Sequence, residues 1–145
     1  MSKILILHFI LFYPIDIFAQ QIAIELDISC FSNVNNRINY KIDDRHIRVR
    51  FGHKLIRHCF KIKDNESSEL EELIDSAFNN MDTLYSNAII DGTMWKIKFT
   101  KNNKIKQVKL FDYFHPELDK IITILNRSLP ERYKIPSTKT FFNSS

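Results

Sequence analysis

Ile22, Ile24, Leu26 and Ile28 alternate with Ala23, Glu25, Asp27 and Ser29, the period-two pattern of a half-buried strand. A polar loop rich in Ser and Asn, Phe31 to Asn36, separates this run from a second one, Ile38, Tyr40 and Ile42, which Asp43-Asp44 closes with a turn. A third run sets Ile47, Val49 and Phe51 on one face and His46, Arg48 and Arg50 on the other. Gly52-His53 fits a two-residue hairpin turn, because glycine tolerates the positive φ required at its first position. Counting outward from that turn sets Val49 opposite Ile56, Ile47 opposite His58 and Arg48 opposite Arg57, and leaves Cys59 on the outer face beside His46.

The period then changes. Leu70, Leu73, Ile74, Ala77, Phe78 and Met81 recur at helical spacing, and Ser68 with Glu71 has the form of a capping box. Glu66, Glu69, Glu71, Glu72 and Asp75 crowd the first turns, where the helix dipole favours acids. Asp82 to Ile90 reads as an edge strand or a packed loop. Trp95, Ile97 and Phe99 next alternate with Met94, Lys96 and Lys98, and Asn102-Asn103 turns the chain. This hairpin pairs Ile97 with Val108, Trp95 with Leu110 and Lys96 with Lys109, and brings Lys106 inward beside Phe99 with its amine reaching water. Pro116 opens a second helix with a stripe of Leu118, Ile121, Ile122 and Leu125, and Leu129-Pro130 ends it. Ile135 to Ser145 is expected to be a flexible tail, with Phe141 and Phe142 the residues able to pack back.

These elements predict an α+β fold: an antiparallel sheet of about six strands with two helices on one face. Asp91 to Leu129 also echoes Asp43 to Met81. At an offset of 48, Asp43, Phe51, Lys61, Asp64, Glu69, Leu70 and Ile74 meet identical residues, against roughly two or three expected from composition. The hairpin turns sit 50 residues apart, so the gapless register breaks inside the hairpins of this ββα pseudo-repeat.

Lys3, the apolar run Ile4 to Tyr13 and the small residue Ala19 have the form of a secretory leader over residues 1–19. The run is shorter than the roughly 20 residues a membrane span takes. The expected mature chain is one domain, residues 20–134, followed by the tail; it is expected to be soluble and periplasmic or secreted. Its charge is segregated: Arg37 to Lys63 holds nine cations, Asp64 to Gly92 eight acids and no cation, and Thr93 to Leu110 six lysines and no acid. Such blocks imply a dipolar surface. Cys30 and Cys59, the only cysteines, are open as a single disulfide in an oxidising compartment or as two unrelated half-buried thiols.

Candidate chemistry is sparse. Gly52 and Gly92 are the only glycines, too few for a phosphate loop, and His46, His53, His58 and His115 show no metal-ligand spacing. No cofactor is expected and the chain does not read as an enzyme. A nuclease using His46 and His53 as acid and base would need both imidazoles at one phosphate. Asp43 and Asp44 read as turn acids, His58 as a core-edge residue, and Asn65 and Asn126 head glycosylation triplets. The outward residues of the hairpins instead form a basic face of Arg48, Arg50, Arg57, Lys96, Lys98 and Lys109. One explanation is solubility and protection of strand edges. A second is docking of a protein with an acidic surface, and a third is contact with anionic envelope polymers or lipids. Nucleic acid is not the expected partner, because exposed aromatics do not interleave these cations.

Asp91-Gly92, Trp95, Asn102-Asn103, Pro116, Leu118 and the ending Leu129-Pro130-Glu131-Arg132-Tyr133 resemble the C-terminal part of small secreted bacterial proteins, over residues 91–133. Some of those look like immunity or inhibitor partners of toxins acting in the periplasm. The resemblance implies a binding module of that kind and carries no functional residue. The alternative expectations are a structural envelope accessory protein and a small secreted hydrolase.

Overall fold

The alternating runs become strands. The computed structural model describes residues 22–30, 33–43, 45–52, 57–87 and 93–137; the expected leader lies outside them. The fold is α+β, with strands β1 (Ile22–Cys30), β2 (Asn33–Asp43), β3 (His46–Phe51), β4 (His58–Lys61), β5 (Leu84–Ser86), β6 (Thr93–Lys101) and β7 (Lys104–Phe111). Helix α1 (Asp64–Asn80) follows β4, and helix α2 (Pro116–Arg127) follows β7. The strands form one sheet in the order β4-β3-β2-β1-β6-β7-β5. Ile24, Leu26 and Ile28 of β1, Tyr40 and Ile42 of β2, Ile47 and Val49 of β3, and Trp95, Ile97 and Phe99 of β6 share one face. They form a single core with Leu70, Ile74 and Ala77 of α1 and Leu118, Ile121, Ile122 and Leu125 of α2.

The sheet has seven strands and is mixed, where six antiparallel strands were expected. The addition is β5, which runs parallel to β7 at the edge. Its direction follows from where α1 delivers the chain. The strands on either side of α1 lie at opposite edges of the sheet, six spacings apart or about 29 Å at ~4.8 Å each. The 17 residues of α1 reach about 25 Å at ~1.5 Å per residue. The helix therefore crosses the sheet, and its last turn lies over the start of β7, where Lys106 Nζ donates to the Phe78 carbonyl at 2.7 Å. A strand entered from that end runs in the same sense as β7. Lys106 points inward as its register requires, but its amine meets a helix C-terminus that has no basic residue of its own, rather than water.

The β6–β7 hairpin has the expected register: Trp95 pairs with Leu110, Lys96 with Lys109, Ile97 with Val108 and Phe99 with Lys106. Asn102 and Asn103 take φ of 47° and 63°, as the two-residue turn demands. The β3–β4 hairpin differs by two residues, with Val49 opposite His58, Arg48 opposite Cys59 and Ile47 opposite Phe60. An even slip keeps every side chain on its expected face, so only the cross-strand neighbours change. Gly52 has the positive φ expected, 53°, while His53 falls outside the described residues. Residues from Asn33 onward belong to β2 rather than a loop; Asn33 pairs with Cys30 of β1, and regular pairing resumes at Ile38 after an irregularity.

Helix α1 starts four residues before the expected capping box, at Asp64, and its N-cap residue Lys63 offers no side-chain cap. Ser128, beyond the end of α2, supplies a substitute: its hydroxyl accepts the Lys63 N–H at 3.2 Å and donates to Glu66 Oε2 at 2.9 Å. Helix α2 begins at Pro116 as its sequence indicates, and the expected stripe is buried. The expected flexible tail is a correction at its start. Ile135 is 1% exposed, and Asn126 holds both its amide, at 2.7 Å, and its carbonyl, at 2.8 Å. Ser137 Oγ also donates to Asp119 Oδ1 at 2.6 Å.

Candidate functional site

The face of the sheet opposite the helices carries the candidate site. Its side chains stand in rows set by the strand register. One row reads Cys59, Arg48, Lys41, Glu25, Lys98 and Gln107 from β4 to β7. The next reads Arg50, Asn39, Asp27, Lys96, Lys109 and Leu84 from β3 to β5. Arg57, exposed just before β4, joins Arg48 and Arg50 in lining a hollow. The six expected docking cations thus share one face, in two groups at either side of the sheet centre.

What the sequence reading passed over is the column between them. Strand β1 is central, so Glu25 and Asp27 divide the basic face. Asp27 is engaged by Arg37, whose Nε donates to Oδ1 at 2.6 Å and whose Nη2 meets Oδ2. That contact and the carboxylate charge raise the Arg37 pKa. Glu25 accepts from Asn39 Nδ2 at 2.9 Å and lies across the strands from Lys41 and Lys98. Arg48 pairs with Asp43, and Lys41 Nζ approaches the same carboxylate at 3.4 Å. Among the described residues, Arg50, Arg57, Lys96, Lys98 and Lys109 have no acidic partner at ion-pair distance. The alternating pattern marked Glu25 and Asp27 as outward; only strand order put them between the basic groups.

The expected like-charge opposition of Arg48 and Arg57 does not occur, because Cys59 faces Arg48. Lys96 does face Lys109, with Asp27 on its other side. Three shallow hollows, of about 230, 150 and 310 Å³, open on this face, and Glu25 lines all of them. Lys101 and Lys106 leave it: Lys101 pairs with Asp75 of α1 on the inner side, and Lys106 meets the end of that helix. Glu69, Glu71 and Glu72 are exposed on α1, so the acidic block lies on the layer that covers the opposite face.

Cys59 is free and exposed on β4. Two strands separate β4 from β1, which carries Cys30, a gap of about 14 Å against the ~7 Å that a disulfide tolerates between Cα atoms. The Cys30–Cys59 disulfide is therefore absent from this fold. His46 lies on the outer face opposite Asp43 and Lys61, whereas His53 falls outside the described residues. His58 is half-buried at the core edge, its ring 4.8 Å from that of Tyr133 and its Nδ1 3.2 Å from the Tyr133 hydroxyl. Among the described residues, no three His, Cys, Asp or Glu side chains are grouped to hold a metal ion, and no helix is long and apolar enough to cross a membrane.

One titratable cluster lies away from this face. His115, the N-cap residue of α2, sets its ring edge-on to Tyr85 at 4.8 Å, and Tyr85 stacks on Tyr113 at 5.0 Å. Its Nδ1 is buried without a hydrogen-bond partner among the described residues. Burial lowers the His115 pKa from 6.5, an effect only partly opposed by Glu117 and Asp82. The unfolded chain therefore takes up this proton first as pH falls through about 6.5, and the stabilisation present at neutral pH declines until the folded imidazole also protonates. Replacing His115 with Phe keeps the aromatic contact and removes the titration. Melting curves between about pH 7.5 and 5.5 are expected to show a smaller acid-side loss in the variant; parallel curves would refute this assignment.

Comparison with family models, curated proteins and solved structures finds no match.

Proposed function

We propose that this chain is a secreted or periplasmic protein-binding module of immunity or inhibitor type, which docks an acidic surface of another protein on its open sheet face. The observation that carries this reading is the set of five cations, Arg50, Lys96, Lys98 and Lys109 on strands and Arg57 just before β4, without acidic partners among the described residues. Their backbone is already set by the sheet, so docking has only side chains left to order, and their charge steers the approach of a carboxylate surface. The basic groups also lie opposite the acidic helix, so the molecule's dipole orients the same face toward a negative partner.

The test is capture of binding proteins from envelope extract on the immobilised mature chain. Neutral substitutions suit it better than charge reversal, because Lys96 and Lys98 stand opposite Asp27 and Glu25, and new acids there would destabilise the sheet. The triple variant Lys96→Gln, Lys98→Gln, Lys109→Gln is expected to lose capture by more than about tenfold with an unchanged melting temperature. Arg48→Gln is expected to destabilise the fold slightly, because it removes a cationic neighbour of Asp43, which Arg48 shares with Lys41. Undiminished capture by the triple variant would rule out this face as the docking site.

A further inference from the structure

Resting on that reading, we propose that Glu25 makes the face selective: it accepts a folded protein whose acidic side chains fall in two rows with a cationic side chain between them, and it rejects a continuous polyanion. Arg48 and Arg50 on β3 stand three strand spacings, or about 14 Å, from Lys96 and Lys98 on β6. Within that gap Lys41 of β2 is drawn toward Asp43, and Glu25 and Asp27 of β1 stand on the same two rows as the basic groups. Asp27 is matched by its two-point contact with Arg37. Glu25 has a neutral amide partner and no ion pair among the described residues, and it lines all three hollows.

A polyanionic chain spanning both basic groups has to pass over this carboxylate, and closely spaced like charges repel most strongly where side chains are half-buried. A protein surface can divide its acids and set a Lys or Arg above Glu25, turning the same charge into an attraction. Such an arrangement excludes wrong partners through a repulsive element as well as selecting the right one.

Heparin is the polyanion probe, titrated at about 0.15 M ionic strength, where the screening length is about 8 Å, against wild type, Glu25→Gln and Glu71→Gln. The first variant keeps the amide contact with Asn39, and the second makes the same net-charge change on α1. Glu25→Gln is expected to tighten heparin binding about five- to tenfold and Glu71→Gln less than about twofold, because screening confines the effect to the local face. Equal tightening by both variants, or none by Glu25→Gln, overturns the proposal. So does tight wild-type binding that Glu25→Gln leaves unchanged, which makes a polyanion the occupant. Toward an acidic protein captured as above, Glu25→Gln is expected to weaken binding about fivefold, opposite in sign to heparin. Strengthened binding there overturns the selectivity alone, whereas indifference of capture to the Lys96, Lys98 and Lys109 substitutions overturns the docking reading itself.

Discussion

Phe99→Ala is expected to remove about 3–5 kcal/mol of folding stability, a large share of the ~5–15 kcal/mol typical of a domain. Phe99 is 0% exposed in β6, paired with Ile24 of β1 and Lys106 of β7, and it belongs to the single core that joins sheet and helices. Its removal costs the transfer energy of the ring plus a cavity that neighbours fixed by the sheet register collapse into only partly. Urea unfolding checks this: the midpoint should fall with an unchanged slope. Phe99→Leu should retain more of the stability, because it fills part of the same volume. A loss below about 1 kcal/mol for the alanine variant would contradict the packing described.

Ile135→Ala is expected to cost about 2–4 kcal/mol, at a position that the sequence placed in a flexible tail and where a mobile residue would cost nothing. The side chain is buried, and Asn126 completes both backbone hydrogen bonds of the residue. Asn126→Ala should itself cost about 1–3 kcal/mol by stranding that amide and carbonyl. Because the two residues act on one contact, the double variant should lose less than the sum of the singles. Additive losses, or an Ile135→Ala variant as stable as wild type, would show that the segment after Tyr133 does not dock. The same commitment of the Asn126 amide removes the triplet at Asn126 as an accessible glycosylation acceptor in the folded chain.

The β6–β7 hairpin was legible residue by residue because a two-residue Asn-Asn turn fixes register locally. The β3–β4 register was not, although its facing pattern was, since a slip of two residues preserves the alternation. Strand β5, only Leu84–Ser86, is too short to show a period, and its parallel direction depends on the path of α1 across the sheet. The start of α1 was misplaced because its cap comes from Ser128, more than sixty residues away in sequence. Neither feature leaves a local trace.

The candidate site divides in the same way. Each of Arg48, Arg50, Arg57, Lys96, Lys98 and Lys109 could be assigned to the outer face from alternation alone, because side-chain facing is a property of one strand. Which charges become neighbours is a property of strand order. That order ran Glu25 and Asp27 through the middle of the basic face, whereas the Asp43–Arg48 pair stays within one hairpin and Lys101 and Lys106 face α1 by the alternation of their own strands. It also held Cys30 and Cys59 apart on strands that are not neighbours. The sequence by itself determined the α+β class, the core faces and the segregation of charge, because hydrophobic period and composition act over a few residues. Only the tertiary structure decided the neighbours beyond the β6–β7 hairpin, because pairing between strands distant in sequence joins residues that no local pattern links.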